Sequence, residues 1–122
     1  MKARILVVDD SGLARRRART ILEGAGFEVL EAEDGIAALE SYFIAKPDLV
    51  LLDLVMKGMG GLDVLSKLRE LDPAAKVIVV SADVQTSSHN LVADAGASGF
   101  VVKPFEPDEI VSKVTSTLSE AH

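Results

Sequence analysis

Five short apolar runs punctuate the chain: Ile5 to Val8, Phe27 to Leu30, Leu49 to Leu52, Val77 to Val80 and Phe100 to Val102. The first, third and fourth are unbroken blocks of valine, isoleucine and leucine. A strand covered on both faces reads this way, because neither set of alternating side chains meets water. Such strands belong to parallel sheets sandwiched between helices. The stretch Phe27 to Ala32 differs, with Glu28 and Glu31 set among apolar residues. That partial alternation suits an edge strand.

Segments of helical period lie between the runs. Ala14, Ala18, Ile21, Leu22 and Ala25 fall on one face of a first helix, which Gly24 and Gly26 stop. Ile36 to Ala45 forms a second, closed by Pro47, and Leu62 to Leu71 a third, with Leu65 and Leu68 inward. Thr86 to Ala95 is a weaker fourth helix, ended by Gly96. Ile110, Val111, Val114 and Leu118 mark the apolar face of a fifth, with Asp108 as its expected N-cap. Five β units alternating with five α units predict an α/β fold with a doubly wound parallel sheet. No linker, repeat or low-complexity tract interrupts the pattern, so residues 1–122 are expected to form one domain. Right-handed crossovers in such a sheet place ligands beyond the carboxyl ends of the strands. The residues that follow each run are therefore the ones to examine.

Composition narrows the chemistry. Of 122 residues, 48% are hydrophobic and 26% charged, which is ordinary for a soluble globular domain. The absence of cysteine excludes disulfides, thiolate metal sites and cysteine nucleophiles, and two histidines are too few for a structural zinc site. The formal net charge of −6 leaves no broad basic face, so no nucleic-acid partner is expected. No apolar run approaches the roughly 20 residues of a membrane span. The opening run is followed at once by Asp9 and Asp10 and reads as a strand, not a signal peptide. A cytoplasmic protein is expected.

The strand ends are unusually polar. The first strand ends in Asp9 and Asp10, the third in Asp53, the fourth in Ser81, and the fifth in Lys103 followed by Pro104. With strands one and three adjacent at the switch point, the fold would bring these residues to one edge. Carboxylates gathered there repel, each pair at ~4 Å costing about 4 kcal/mol at an effective dielectric near 20. Protonation or a divalent cation relieves that repulsion. Oxygen ligands without histidine or cysteine favour a hard ion, and a solvated carboxylate site suits Mg²⁺. Lys103 adds a cation and Ser81 a hydroxyl donor. A carboxylate nucleophile, a metal, a cation and a hydroxyl together make a phosphoryl-acceptor site, in which Asp53 forms an aspartyl phosphate.

The motifs ILVVDDS (Ile5 to Ser11), DLVLLDLVMKGMGG (Asp48 to Gly61), VIVVSAD (Val77 to Asp83) and DAGASGFVVKPF (Asp94 to Phe105) resemble the receiver domains of two-component response regulators, the CheY-like family. The resemblance spans the whole chain, with order and spacing in agreement. It implies a flavodoxin-like (βα)5 fold with strand order 2-1-3-4-5. Asp53 would then be the phosphoacceptor. Asp10, Asp53 and the backbone carbonyl of Val55 would bind Mg²⁺ directly, with Asp9 acting largely through water. Lys103 would contact the phosphoryl group. Ser81 would turn toward it, and Phe100 would be the aromatic switch that moves with Ser81. A cis bond between Lys103 and Pro104 is implied as well. The implied function is a stand-alone phosphorelay switch rather than an output enzyme. Its partners would be a histidine kinase or histidine phosphotransfer protein and a downstream protein, met through helix four, strand five and helix five.

The sequence departs from that family in places. Lys57 replaces a usual proline, Gly60 a common acidic residue, and the loop from Lys57 to Gly61 carries three glycines, from which a looser loop is expected. Val55 and Asp83 occupy positions that tune phosphoryl lifetime, and Val55 has no side chain to orient an attacking water, so slow self-hydrolysis is expected. Arg15, Arg16, Arg17 and Arg19 read most simply as the solvated face of the first helix, or else as a contact for an acidic partner. His89 and His122 are expected outside the site, exposed to solvent. Two rival functions fit less well. A haloacid dehalogenase phosphatase wants a second aspartate two residues after the nucleophile, where this chain has Val55. A flavin-binding module is opposed by the acidic rim and by a single tyrosine with no tryptophan to stack on.

Overall fold

The computed structural model describes residues 2–56, 58–82 and 93–120. Within them the elements run β1 (Arg4–Val8), α1 (Gly12–Gly24), β2 (Glu28–Ala32), α2 (Gly35–Ala45), β3 (Leu49–Asp53), α3 (Gly61–Leu71), β4 (Val77–Ser81), β5 (Gly99–Val102) and a C-terminal helix (Pro107–Ser119). The strands form one parallel sheet in the order β2-β1-β3-β4-β5. The unbroken apolar runs are its three interior strands, and every residue of β3 and β4 is buried. β2, with its two glutamates, is an edge. Most of the fourth expected helix, from Thr86, lies outside the described residues, as do Lys57, Asp83, His89 and His122.

The two-residue period of the strands sorts the core into two layers. Leu6, Val8, Val50, Leu52, Val77 and Val79 point to one face, where they meet Ala38 and Tyr42 of α2 and Val64, Leu65 and Leu68 of α3. Ile5, Val7, Leu49, Leu51, Ile78, Val80 and Val101 point to the other, against Ala18 and Leu22 of α1 and Ile110 and Val114 of the C-terminal helix.

Local chemistry sets the helix ends. Ser11 caps α1, its Oγ accepting from the Ala14 N–H at 3.2 Å. Asp34 does the same for α2, accepting from Ala37 at 2.8 Å. α2 stops at Lys46, whose φ of 49° takes it out of the helical region ahead of Pro47. Ala25 is the exposed C-cap of α1 and not part of its buried face. The expected N-cap of the last helix is also corrected. Glu106 holds that position, and Asp108 lies inside the first turn. Pro107 explains the shift, since its missing N–H and fixed φ suit the first helical position. Glu109 Oε1 then reaches back to accept from the Glu106 N–H at 3.1 Å.

Candidate functional site

Three strands deliver their next residues to one spot by the same rule of alternation. Val7, Leu51 and Val101 all belong to the core layer under α1 and the C-terminal helix. Asp9, Asp53 and Lys103 follow each of them by two positions and so rise on that same face, at the carboxyl edge of the sheet. Ladder bonds hold the edge in register: Leu54 N–H donates to the Val80 carbonyl at 3.2 Å, and Lys103 N–H to the Ser81 carbonyl at 2.8 Å.

There the carboxylates of Asp9, Asp10 and Asp53 bring oxygen atoms within 4.8 Å of one another. Asp9 is buried, Asp53 is nearly so with 9% of its surface exposed, and Asp10 is exposed. Lys103 Nζ lies 3.0 Å from Asp9 Oδ2 and 3.7 Å from Asp53 Oδ2. The second oxygen of Asp9 accepts from the Ser11 N–H at 2.9 Å, and Asp53 Oδ1 accepts from the Val55 N–H at 3.3 Å. Burial pushes the Asp53 carboxyl above its ordinary value. The positive charge of Lys103 opposes that rise, Asp9 adds to it, the Val55 N–H opposes it, and Asp10 adds to it. The pocket thus carries more negative charge than its lysine neutralises. An all-oxygen donor set with one solvent-facing member fits a hard divalent cation.

Ser81 is buried at the end of β4, beside Val102. Phe100 pairs with Val79, two residues before Ser81, so the serine and the aromatic ring share a sheet face; Phe100 packs, half-buried, against the α2 and α3 layer. The Val55 side chain is 72% exposed beside the acidic cluster. The Lys103–Pro104 peptide is cis.

Gly61 closes the glycine-rich stretch and opens α3. Gly61 donates its N–H to the Leu54 carbonyl at 3.0 Å. A Cβ there would fall 2.5 Å from the Asp53 carbonyl oxygen and 2.6 Å from Leu54 Cα. Gly61 is thus required by backbone contact directly behind the aspartate. Gly61→Ala is expected to destabilise the fold by about 1–3 kcal/mol, as overpacking does. Urea denaturation checks this, and an unchanged midpoint would contradict the close approach.

The arginines of α1 are a second correction. Arg15 Nη1 donates to the Asp9 carbonyl at 2.6 Å, and its Nε pairs with Glu31 at 3.1 Å. Arg19 joins Glu31 at 2.6 Å and the Val29 carbonyl at 2.7 Å. Arg17 Nη2 donates to the Phe105 carbonyl at 3.0 Å. Arg16 and Arg17 are both exposed, as a solvated face requires, whereas Arg15 and Arg19 are partly buried. Glu31 on the neighbouring strand was the available signal, since a carboxylate beside a row of arginines needs partners.

A family model described as the response regulator receiver domain matches residues 5–115. The chemotaxis protein CheY of Bacillus subtilis (strain 168) is 40% identical over 120 residues, covering 98% of this chain and 100% of that protein. The chemotaxis protein CheY of Thermotoga maritima is 41% identical over 112 residues, covering 91% of this chain and 93% of that protein. Among solved structures, the CheY-like response regulator receiver domain protein from Methanospirillum hungatei JF-1 matches with a TM-score of 0.91 at 29% identity, covering 97% of this chain and 94% of that one.

Proposed function

We propose, on the premise that this chain belongs to the response regulator receiver domain family, that it is a phosphorelay switch with Asp53 as its phosphoacceptor. The observation that carries the reading is the placement of Asp53 Oδ2 within 3.7 Å of Lys103 Nζ while Asp9 and Asp10 crowd the same edge. An Asp53 carboxylate oxygen attacks the phosphorus of a phosphohistidine on a histidine kinase or histidine phosphotransfer protein. A P–O bond forms, the P–N bond breaks, and the imidazole leaves with the electron pair. Lys103 meets the charge of the phosphoryl oxygens. Asp9, Asp10, Asp53 and the Val55 carbonyl are the groups that would hold Mg²⁺, which when bound cancels carboxylate charge and polarises phosphoryl oxygens. Val55 brings no polar side chain to guide water to the acyl phosphate, which favours a slow return to the resting state.

Ser81 and Phe100 are the proposed switch. The hydroxyl of Ser81 reaches a phosphoryl oxygen by moving inward, and the aromatic ring on the same sheet face then moves into the space beside it. Two packings separated by a few kcal/mol are within the range that a bound group can bias. A groove of about 420 Å³ between β5 and the C-terminal helix, lined by Phe100, Val102, Glu109 and Lys113 among others, supports this side of the domain as the surface read by a downstream protein. Ser81→Ala is expected to accept phosphate on Asp53 yet lose most of the amide chemical-shift response of β5 to beryllofluoride. A response of wild-type size would remove Ser81 from the switch.

The direct test is acetyl phosphate with Mg²⁺ followed by intact mass. One phosphoryl adduct per chain is expected, and none in the presence of a chelator. An unmodified wild-type chain would overturn the reading.

A further inference from the structure

A cleft of about 520 Å³, partly open to solvent, has Asp9, Asp53 and Lys103 in its lining. Its floor is Val7, Leu51 and Val80 of the sheet, and α1 lines it with Ala14, Arg17 and Ala18. Ala18 shares an apolar cluster with Phe105 and Ile110, and beside these short alanines the longer reach across the cleft, from α1 to the segment that follows β5, falls to Arg17. That segment carries Lys103, and two residues later Phe105.

Arg17 spans the gap. Its Nη2 donates to the Phe105 carbonyl at 3.0 Å, and its guanidinium carbon sits 4.8 Å from the centre of the Phe105 ring. A planar guanidinium suits both contacts at once, one through an in-plane N–H and one through its charge. On the same helix, Arg15 holds the Asp9 carbonyl at 2.6 Å. The helix is therefore tied to both sides of the pocket, to the acid by Arg15 and to the lysine-bearing segment by Arg17.

We infer that Arg17 is a positioning residue of the phosphoacceptor site, which holds the 103–105 segment through Phe105 and so aims Lys103 at Asp53. This rests on the phosphoacceptor reading above. The carboxylates at the pocket lie on β3 and in the loop after β1, outside the segment that Arg17 holds. Loss of the tether should weaken contact with a phosphoryl group while leaving the carboxylates as they were.

The experiment is calorimetric titration of the whole chain with Mg²⁺ alone, and then with beryllofluoride at saturating Mg²⁺. Arg17→Met keeps the length and removes both charge and donor; Arg17→Lys restores the charge. Expected are a loss of beryllofluoride affinity of about fivefold or more in Arg17→Met, partial recovery in Arg17→Lys, and Mg²⁺ affinity within about twofold of wild type throughout. In a Lys103→Ala background, Arg17→Met should add no further loss. Three results would overturn the inference: wild-type beryllofluoride affinity in Arg17→Met, an equal loss in the Lys103→Ala background, or a parallel fall in Mg²⁺ affinity. A wild-type chain that binds Mg²⁺ but no beryllofluoride would instead overturn the phosphoacceptor reading, and the inference with it.

Discussion

Asp53→Asn will take no phosphoryl group from acetyl phosphate, and at neutral pH it will melt at a higher temperature than the wild type. The first effect follows from chemistry, because an amide lacks the anionic oxygen that attacks phosphorus. The second follows from the environment of the carboxyl group. Burial raises the folded-state pKa of Asp53, and Asp9 and Asp10 raise it further, against the opposing influence of Lys103 and the Val55 N–H. A carboxyl whose folded pKa lies above its unfolded value contributes its full stability below the unfolded value. That contribution is lost as pH rises through the folded value. At pH 7 the ionised group therefore weighs against the fold, and asparagine relieves it. Lys103 keeps its closer partner, Asp9 at 3.0 Å, and the amide oxygen still accepts from Val55. For a domain of this size each kcal/mol moves the midpoint by roughly 4 °C, so calorimetry should resolve the gain. The gap between variant and wild type should narrow as pH falls toward about 4, the ordinary range of aspartate. A midpoint below that of the wild type at pH 7, or full phosphorylation of the variant, would contradict the site.

Millimolar Mg²⁺ should raise the melting temperature of the wild type, and Asp10→Ala should lose most of that response. A ligand that binds only the folded state stabilises it by mass action, about 1.4 kcal/mol at ten times the dissociation constant. Carboxylate oxygens from Asp9, Asp10 and Asp53 lie within 4.8 Å of one another, close enough to share one ion. Asp10 is the exposed member, so its removal disturbs little packing. It also removes one source of the repulsion acting on Asp53. In a chelator, Asp10→Ala should accordingly melt above the wild type. A metal response of wild-type size in that variant would exclude Asp10 from direct ligation.

Much of the architecture was legible along the chain. The unbroken runs at Ile5, Leu49 and Val77 announced strands buried on both faces, and these are the interior strands; Glu28 and Glu31 announced an edge, and β2 is one. Aspartates and a lysine directly after strands pointed to one rim because alternation and a parallel sheet leave them nowhere else to gather. All of this depends on periods of two and 3.6 residues, which near neighbours encode. The tertiary structure alone decided what depends on distant backbone. Gly61 is tied to its place by the carbonyl of Asp53, and Arg17 finds its partner in Phe105, 88 residues away. Helical period places Arg16 opposite the apolar face of α1 and Arg17 at its flank; which group Arg17 reaches is decided by the segment after β5. Hydrophobic period sets which face of an element turns inward, whereas the partner of a long polar side chain is chosen by whatever the fold brings within its reach.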